Sequence, residues 1–445
     1  MASPDVPAQP ERSDGSPGTA WLIGLLFAVN ALNLLDRQLP GILAQSIKAD
    51  LHLSDTQLGL MGGVAFAVVY AGLGLPLARL ADRWSAKWVL AGALAAWSVL
   101  TAAGAFAQSF LQLAVARVGV AAGEAGCTPA AHAMISARVA PHRRASAIAV
   151  YSLGVPAGAM CGLVLGGWLN DLHDWRFAML AMGAPGLAVA LLFALTVPRD
   201  GVAAPPAAAT TGGLLDAART LLSLRSYRHM FFAVTIFGVG VYANFQFYPA
   251  FLIRVHGLSA GQAGLVLGLM TGLIGGLGTF AGGWVGDRVA RVSAGRMLVL
   301  PAAGFLLAAP CLLAGLLAPD LRVAVAFLCL PQAAHVMYQA PVYGTAQRLA
   351  PPGLKAMATA VLLFGLSLVG ASVGPFVAGL ASDLLQPRFG AGALRYALCL
   401  TAFTDVWAAA HLLLAARALP ADLARFEAPD SNARLPSPRV GILSN

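Results

Sequence analysis

Charge is scarce in this sequence. Its 445 residues include 28 Lys and Arg and 19 Asp and Glu, so 11% are charged against 58% apolar. A soluble protein carries roughly 25% charge. The chain therefore lacks the polar surface that an aqueous enzyme, a nucleic-acid binder or a disordered scaffold requires. Disulfides are missing too: Cys127, Cys161, Cys311, Cys329 and Cys399 all fall in apolar runs, an odd count with none in a loop, which suits packing. Residues 1–18 are rich in Pro and Ser and carry three acids, so no cleavable signal peptide is expected. No Gly-x-x-x-x-Gly-Lys string occurs, which disfavours ATP-driven transport by this chain alone.

What the chain has instead is long apolar runs. They predict spans near 21–44, 57–78, 88–106, 111–139, 145–169 and 175–197, then near 230–252, 260–285, 297–317, 323–346, 356–384 and 394–416. Twelve spans of about 20 residues would use about 240 positions, close to the apolar total. The expected organisation is a disordered tail over 1–18, a six-helix bundle over 19–197, a linker over 198–229, a second six-helix bundle over 230–416 and a tail over 417–445. Within the linker, Leu214, Leu215, Ala218, Leu221 and Leu222 recur at helical spacing, which predicts a short amphipathic helix on the membrane surface.

Placement explains most of the net charge of +9. With the N-terminus inside, inner loops and tails hold 20 Lys and Arg and outer loops hold 6. The positive-inside rule then puts both termini in the cytoplasm. The basic excess is thereby an orientation signal, and no nucleic-acid partner is expected.

The two halves repeat each other. Leu53-Ser54-x-x-Gln57-x-Gly59-Leu60 returns as Leu258-Ser259-x-x-Gln262-x-Gly264-Leu265, and the same shift of 205 carries Asp82-Arg83 onto Asp287-Arg288. Gly158, Gly162, Gly167 and Asp171 return at Gly370, Gly374, Gly379 and Asp383 with a shift of 212. Whole six-span shifts with one orientation are parallel repeats. The segment Ala78-Arg79-Leu80-Ala81-Asp82-Arg83 up to Lys87 resembles the loop 2–3 signature of the major facilitator superfamily. Asn33-x-x-Asp36-Arg37, Arg117 through Gly123-Glu124-Ala125, Trp175-Arg176, Pro249-Ala250-Phe251-Leu252-x-Arg254, and Gly374-Pro375 through Gly379, Ser382 and Asp383 resemble its Spinster-type branch. The resemblance implies an all-α membrane protein of twelve transmembrane helices in two pseudo-symmetric six-helix halves. It also implies a bacterial inner-membrane transporter whose substrate is an amphiphile such as a lysophospholipid or sphingolipid-like molecule, with a small organic anion or drug-like solute as the alternative. The expected partners are that substrate and the lipid bilayer, the expected assembly is a monomer, and no cofactor is expected beyond a coupling proton.

Acids away from the ends of the spans are the rarest feature: Asp36, Glu124 and Asp405. A charge at the bilayer centre costs about 2.5–3.5 kcal/mol on insertion scales, which makes such residues functional candidates. Glu124 lies seven residues beyond Arg117, within about 20° of the same helix face and roughly 10 Å further along. A motion that changes their separation would make proton binding depend on conformation. Asp36 and Glu124 are the expected proton-coupling residues. Adjacent Asp36 and Arg37 point about 100° apart, so they cannot simply face each other, and Asn33 lies between them. Asp36 is expected to titrate or to pair with a neighbouring helix, and Arg37 to attract an anionic headgroup.

Arg37, Arg117, Asn33, Asn244 and Gln246 are the expected substrate-binding residues, with Tyr248 beside Pro249 in the same polar stretch. By superfamily resemblance Asp82, Arg83, Asp287 and Arg288 are expected to gate. Asp82 would sit at the helix start near Ala356, and Asp287 at the one near Ala145, each drawn by a positive helix dipole. Gly154, Gly158, Gly162 and Gly166 form a seam for close helix approach. His132, His335 and His411 stand alone in their spans and read first as packing residues, with no metal-ligand spacing among them. The two Gly-x-Ser-x-Gly strings, at Gly257 and Gly370, have no strand before the serine; Ser259 reads as a helix cap. Nothing in the sequence calls for an enzyme.

Overall fold

In the computed structural model, the described residues are 17–198, 214–290, 296–351 and 354–427. They form helices with no strand among them. Eleven helical stretches are long and apolar enough to cross a membrane. The last, Met357–Ala424, has 68 residues, which at 1.5 Å per residue is about 100 Å and three bilayer cores long. It turns back at Gly390–Gly392, where Gly390 takes a φ of 52°. The chain therefore crosses twelve times.

The first half comprises Pro17–Ile42 continued as Ala44–Leu51; Asp55–Gly62 with Val64–Arg83; Ala86–Gly104; Phe110–Glu124 with Cys127–Arg138; Arg144–Ser152 with Gly154–Leu172; and Trp175–Thr196. The second comprises Arg225–His256; Ala260–Leu269 running through Met270–Ile274 into Gly275–Ala290; Arg296–Leu317; Leu321–Met337 with Gln339–Leu349; Lys355–Phe364 running through Gly365–Gly370 into Ala371–Phe389; and Ala393–Cys399 with Thr401–Glu427. These are spans 1–6 and 7–12. The ends of odd spans and the starts of even ones share the face opposite the chain termini, here the far face.

The repeated Leu-Ser-x-x-Gln string has a local cause. Ser54 and Ser259 are N-caps, and with Gln57 and Gln262 they form complete capping boxes that start spans 2 and 8. Gly257, at φ 69°, ends span 7 in the left-handed conformation that makes the turn into span 8.

Small residues set the closest contacts. At Gly154, Gly158 and Gly162 of span 5 a Cβ would run into the backbone of span 1 at Phe27, Ala31 and Leu35, and at Gly166 into the side chains of Leu39 and Ile42. A partner every four residues matches a glycine every four residues, so the two helices touch along their length.

Burial divides the molecule into three cores. One, on the far-face side, mixes both halves: Leu39, Leu43 and Leu58 pack with Phe247, Phe251 and Leu267. The other two are separate. Leu26, Leu90, Trp97 and Phe193 belong to the first half alone, and Tyr227, Phe305, Val342 and Leu412 to the second alone. The halves thus meet toward the far face and keep independent cores toward the termini face. The helix Leu214–Ser223 packs on the second of these, with Leu221 fully buried there, so it has a protein contact as well as an exposed face. Span 12 runs past the apolar run to Glu427 because Asp422 accepts hydrogen bonds from the Ser226 N–H and hydroxyl, both at 2.7 Å, at the start of span 7.

Candidate functional site

Five of the expected residues converge in the first half. Arg37 Nε donates to Glu124 Oε2 at 2.8 Å, and the Thr101 hydroxyl of span 3 donates to Asp36 Oδ2 at 3.2 Å. Adjacent Asp36 and Arg37 thus serve different helices, as their 100° divergence requires. Arg117 lies within electrostatic reach of Glu124, Asp36 and Arg37, and Asn33 beside Glu124. Glu124 sits where span 4 breaks, between Phe110–Glu124 and Cys127–Arg138.

Burial is severe and hydrogen bonding incomplete. Asp36, Arg117 and Glu124 are at most 3% exposed. Asp36 Oδ1, Glu124 Oε1, Arg117 Nε, Arg117 Nη1 and Asn33 Nδ2 are buried without a hydrogen-bond partner. Orphaned buried polar atoms are costly and mark a site that strains, titrates or binds. Arg37 differs, with 27% of its side chain exposed. Its guanidinium stands over the Phe66 and Tyr70 rings at 5.3 and 4.6 Å, and Arg117 stands over Phe66 at 5.6 Å. The aromatic faces of span 2 hold both cations in place.

Asn244 and Gln246 are engaged elsewhere. Asn244 accepts a hydrogen bond from the Thr401 hydroxyl at 3.2 Å, and Gln246 Nε2 donates to the Pro40 carbonyl at 3.3 Å; both side chains are buried. The first ties span 7 to span 12 and the second ties span 7 to span 1 across the halves. Two histidines read as solitary have partners: His335 Nε2 lies 3.0 Å from Asp405 Oδ2, and His411 Nδ1 lies 2.9 Å from His229 Nδ1. Residues 70 and 182 positions apart leave no periodic trace in the sequence. His132 packs edge-on against Tyr151.

The side chains of Asp82, Arg83 and Asp287, and that of Ala356, lie outside the described ones. Arg288 stacks over Trp284 at 3.3 Å.

The far face carries the contacts between halves. Asp383 of span 11 accepts hydrogen bonds from the Asp55 and Thr56 N–H groups at 2.9 and 2.8 Å and from the Thr56 hydroxyl at 2.6 Å. Its counterpart Asp171 of span 5 accepts from the Ala260 and Gly261 N–H groups at 3.1 and 2.8 Å and from the Ser259 hydroxyl at 2.5 Å. Each carboxylate thus caps a helix of the opposite half, where the dipole is positive. Beside each cap is a glycine, Gly167 or Gly379, where a methyl group would overlap the carbonyl of Ala260 or Asp55.

Asp55 anchors the same face: Arg254 reaches its two oxygens at 2.7 and 2.8 Å, Lys48 at 2.6 Å and the Ser382 hydroxyl at 2.6 Å. Within the first half, Arg176 and Trp175 both bond Asp50, and that pairing with Arg176 holds the Asp50 carboxyl below the usual carboxylate range. Sequence reasoning singled out neither Asp55 nor the capping role of Asp171 and Asp383. The repeats were the available signal, since they give two glycine–aspartate sets and two helix starts, but not which set meets which start.

A profile of the Major Facilitator Superfamily matches residues 26–375. The chain belongs to the major facilitator superfamily. An MFS-type efflux pump of Mycolicibacterium smegmatis is 38% identical over 405 residues, covering 90% of this chain and 93% of that one. Human protein spinster homolog 1 is 27% identical over 460 residues, covering 95% and 86%. A crystal structure of a bacterial homologue of the human lysosomal transporter Spinster, inward-facing and unoccupied, matches with a TM-score of 0.84 at 28% identity, covering 92% of this chain and 98% of that one. The Spinster-type motifs are therefore those of a facilitator-superfamily transporter, and the twelve helices form its two halves.

Proposed function

We propose that this transporter exports an amphiphile with an anionic headgroup across a bacterial inner membrane, in exchange for protons, with both termini in the cytoplasm. The observation that carries the reading is the buried cluster of Asp36, Arg37, Arg117 and Glu124. Two carboxylates and two guanidiniums share one dry site, several of their polar atoms lack partners, and one cation is partly exposed. An anionic headgroup docking on Arg37 competes with Glu124 for its guanidinium. Glu124 then loses its closest countercharge, which favours its protonation. Protonation of Glu124 in turn frees Arg37 for the headgroup. Substrate and proton are in this way coupled through one hydrogen bond, and Asp36 serves as the second acid of the cluster through Arg117.

Alternating access follows from the three cores. The halves rock about their shared far-face core. The far-face contacts of Asp55, Asp171 and Asp383 are made in the state described, while the buried cores toward the termini face are separate. Asp82, Arg83, Asp287 and Arg288 are the proposed gate for the other state. Export is favoured by the identity to an efflux pump, and an amphiphile by the similarity to Spinster proteins. The efflux relative also keeps alive the reading of a small organic anion or drug-like solute.

A thermal-shift screen separates the two, because a ligand that binds the folded state raises its melting temperature. Anionic lysophospholipids and phosphorylated sphingoid lipids are expected to raise Tm for wild type, and Arg37→Gln to abolish the shift. Stabilisation by small organic acids with none by any lipid would replace the amphiphile by an organic anion. No shift with either class would remove the headgroup role of Arg37.

A further inference from the structure

The second half holds a buried titratable pair that the proposed coupling does not use. His335 of span 10 and Asp405 of span 12 face each other at 3.0 Å, with side chains 9% and 3% exposed. Phe237 and Phe305 stand edge-on to the imidazole, with centroids at 5.0 and 5.9 Å, so the pair is walled by rings from spans 7 and 9. The titratable groups facing it are phenols: Tyr248 of span 7 within electrostatic reach of Asp405, and, one turn past His335, Tyr338, bonded to Tyr343 at 2.9 Å with Tyr242 of span 7 nearby. Among the described residues no Lys or Arg pairs with Asp405. Its only available countercharge is a protonated His335.

We propose that His335 and Asp405 form a second proton-binding site, separate from the cluster of the first half. With the Nε2–H donating to Asp405 Oδ2, an incoming proton adds to the lone pair of Nδ1. The result is an imidazolium beside a carboxylate, with no net charge among the aromatic walls. Loss of that proton leaves one negative charge in the same dry surroundings, which burial opposes. The charge that the site carries therefore depends on how closely spans 10 and 12 pack around it. A hinge for a change in that packing lies one turn away, where span 10 breaks at Tyr338 between Leu321–Met337 and Gln339–Leu349. Bending there moves His335 relative to span 12. That the proton is carried through a transport cycle rests on the proposed function; its binding does not.

The test needs no substrate. The full chain is reconstituted in liposomes on a solid-supported membrane and given pH jumps, and the displaced charge reports proton binding. Asp36→Asn/Glu124→Gln is expected to retain part of the wild-type signal, and adding His335→Gln to that variant to remove the remainder. Asp405→Asn, which keeps the shape and a hydrogen-bond acceptor, is expected to remove the same component. Loss of the whole signal in Asp36→Asn/Glu124→Gln, or no further loss on adding either second-half change, would overturn the proposal. Monodispersity and a single cooperative melt above the assay temperature for each variant establish that a lost signal is not a lost fold.

Discussion

Asp36 and Arg37 show how one helix step sets chemistry. Adjacent side chains diverge by 100°, so one meets Thr101 on span 3 and the other Glu124 on span 4. Removing one partner of a buried ion pair strands the other, at a cost of about 3–5 kcal/mol. Arg37→Gln is expected to destabilise the protein by about 3 kcal/mol, and Glu124→Gln in the same chain to restore most of the loss. Melting curves of the wild type, two single variants and the double check this, and strictly additive losses would show that the pair is not coupled.

Near the end of the helix Ala44–Leu51, beyond the apolar run of span 1, Asp50 gives a pH dependence. Its carboxyl is held below the usual range by Arg176, so the folded state binds its proton less readily than the unfolded one. The contribution is present above the unfolded carboxyl value and is lost as pH falls through the lower folded one. Asp50→Asn should lower Tm slightly at pH 7 and by less and less as pH falls below the ordinary carboxylate range, read from melts across a pH series. Asp36, Arg37 and Glu124 were legible in the sequence because charge in an apolar run is conspicuous, whereas Asp50, outside those runs, was not singled out. The identity of their partners was not legible, since a helix has neighbours on several sides and only packing selects one.

At the scale of elements, a carboxylate at a helix start is the recurring device. Asp171, Asp383 and Asp422 each accept from backbone N–H groups of a helix far away in sequence. Two of the three join opposite halves. The sequence showed both members of each contact, the Leu-Ser-x-x-Gln starts with a shift of 205 and the aspartates with a shift of 212. It did not show that one register meets the other, because that depends on how the halves dock. Replacing a cap by alanine costs about 0.5–2 kcal/mol. Asp171→Ala/Asp383→Ala should therefore shift the population away from the far-face-closed state by roughly tenfold or more. Spin labels at Gln108 and Pro319, in far-face loops of opposite halves, should report a larger share of long distances in the double variant. A distribution identical to the parent's would mean that the caps hold helix starts without holding the halves together.

For the whole molecule, the decisive feature is one shared core and two private ones. Close-packed cores do not deform continuously, so in the proposed cycle two halves joined on one side would rock as units. Twelve crossings were countable from apolar runs alone, whereas the state of the molecule was not. No local signal says on which side two halves are touching.

Proton coupling through the first-half cluster is the central claim, and vesicle transport tests it most directly. Proteoliposomes containing a fluorescent lysophospholipid are given a pH gradient and the rate of lipid movement is followed. Wild type should move the probe faster with the gradient than without it, while Asp36→Asn/Glu124→Gln should keep the slow exchange and lose the acceleration. An acceleration as large in the double variant as in wild type would contradict the account.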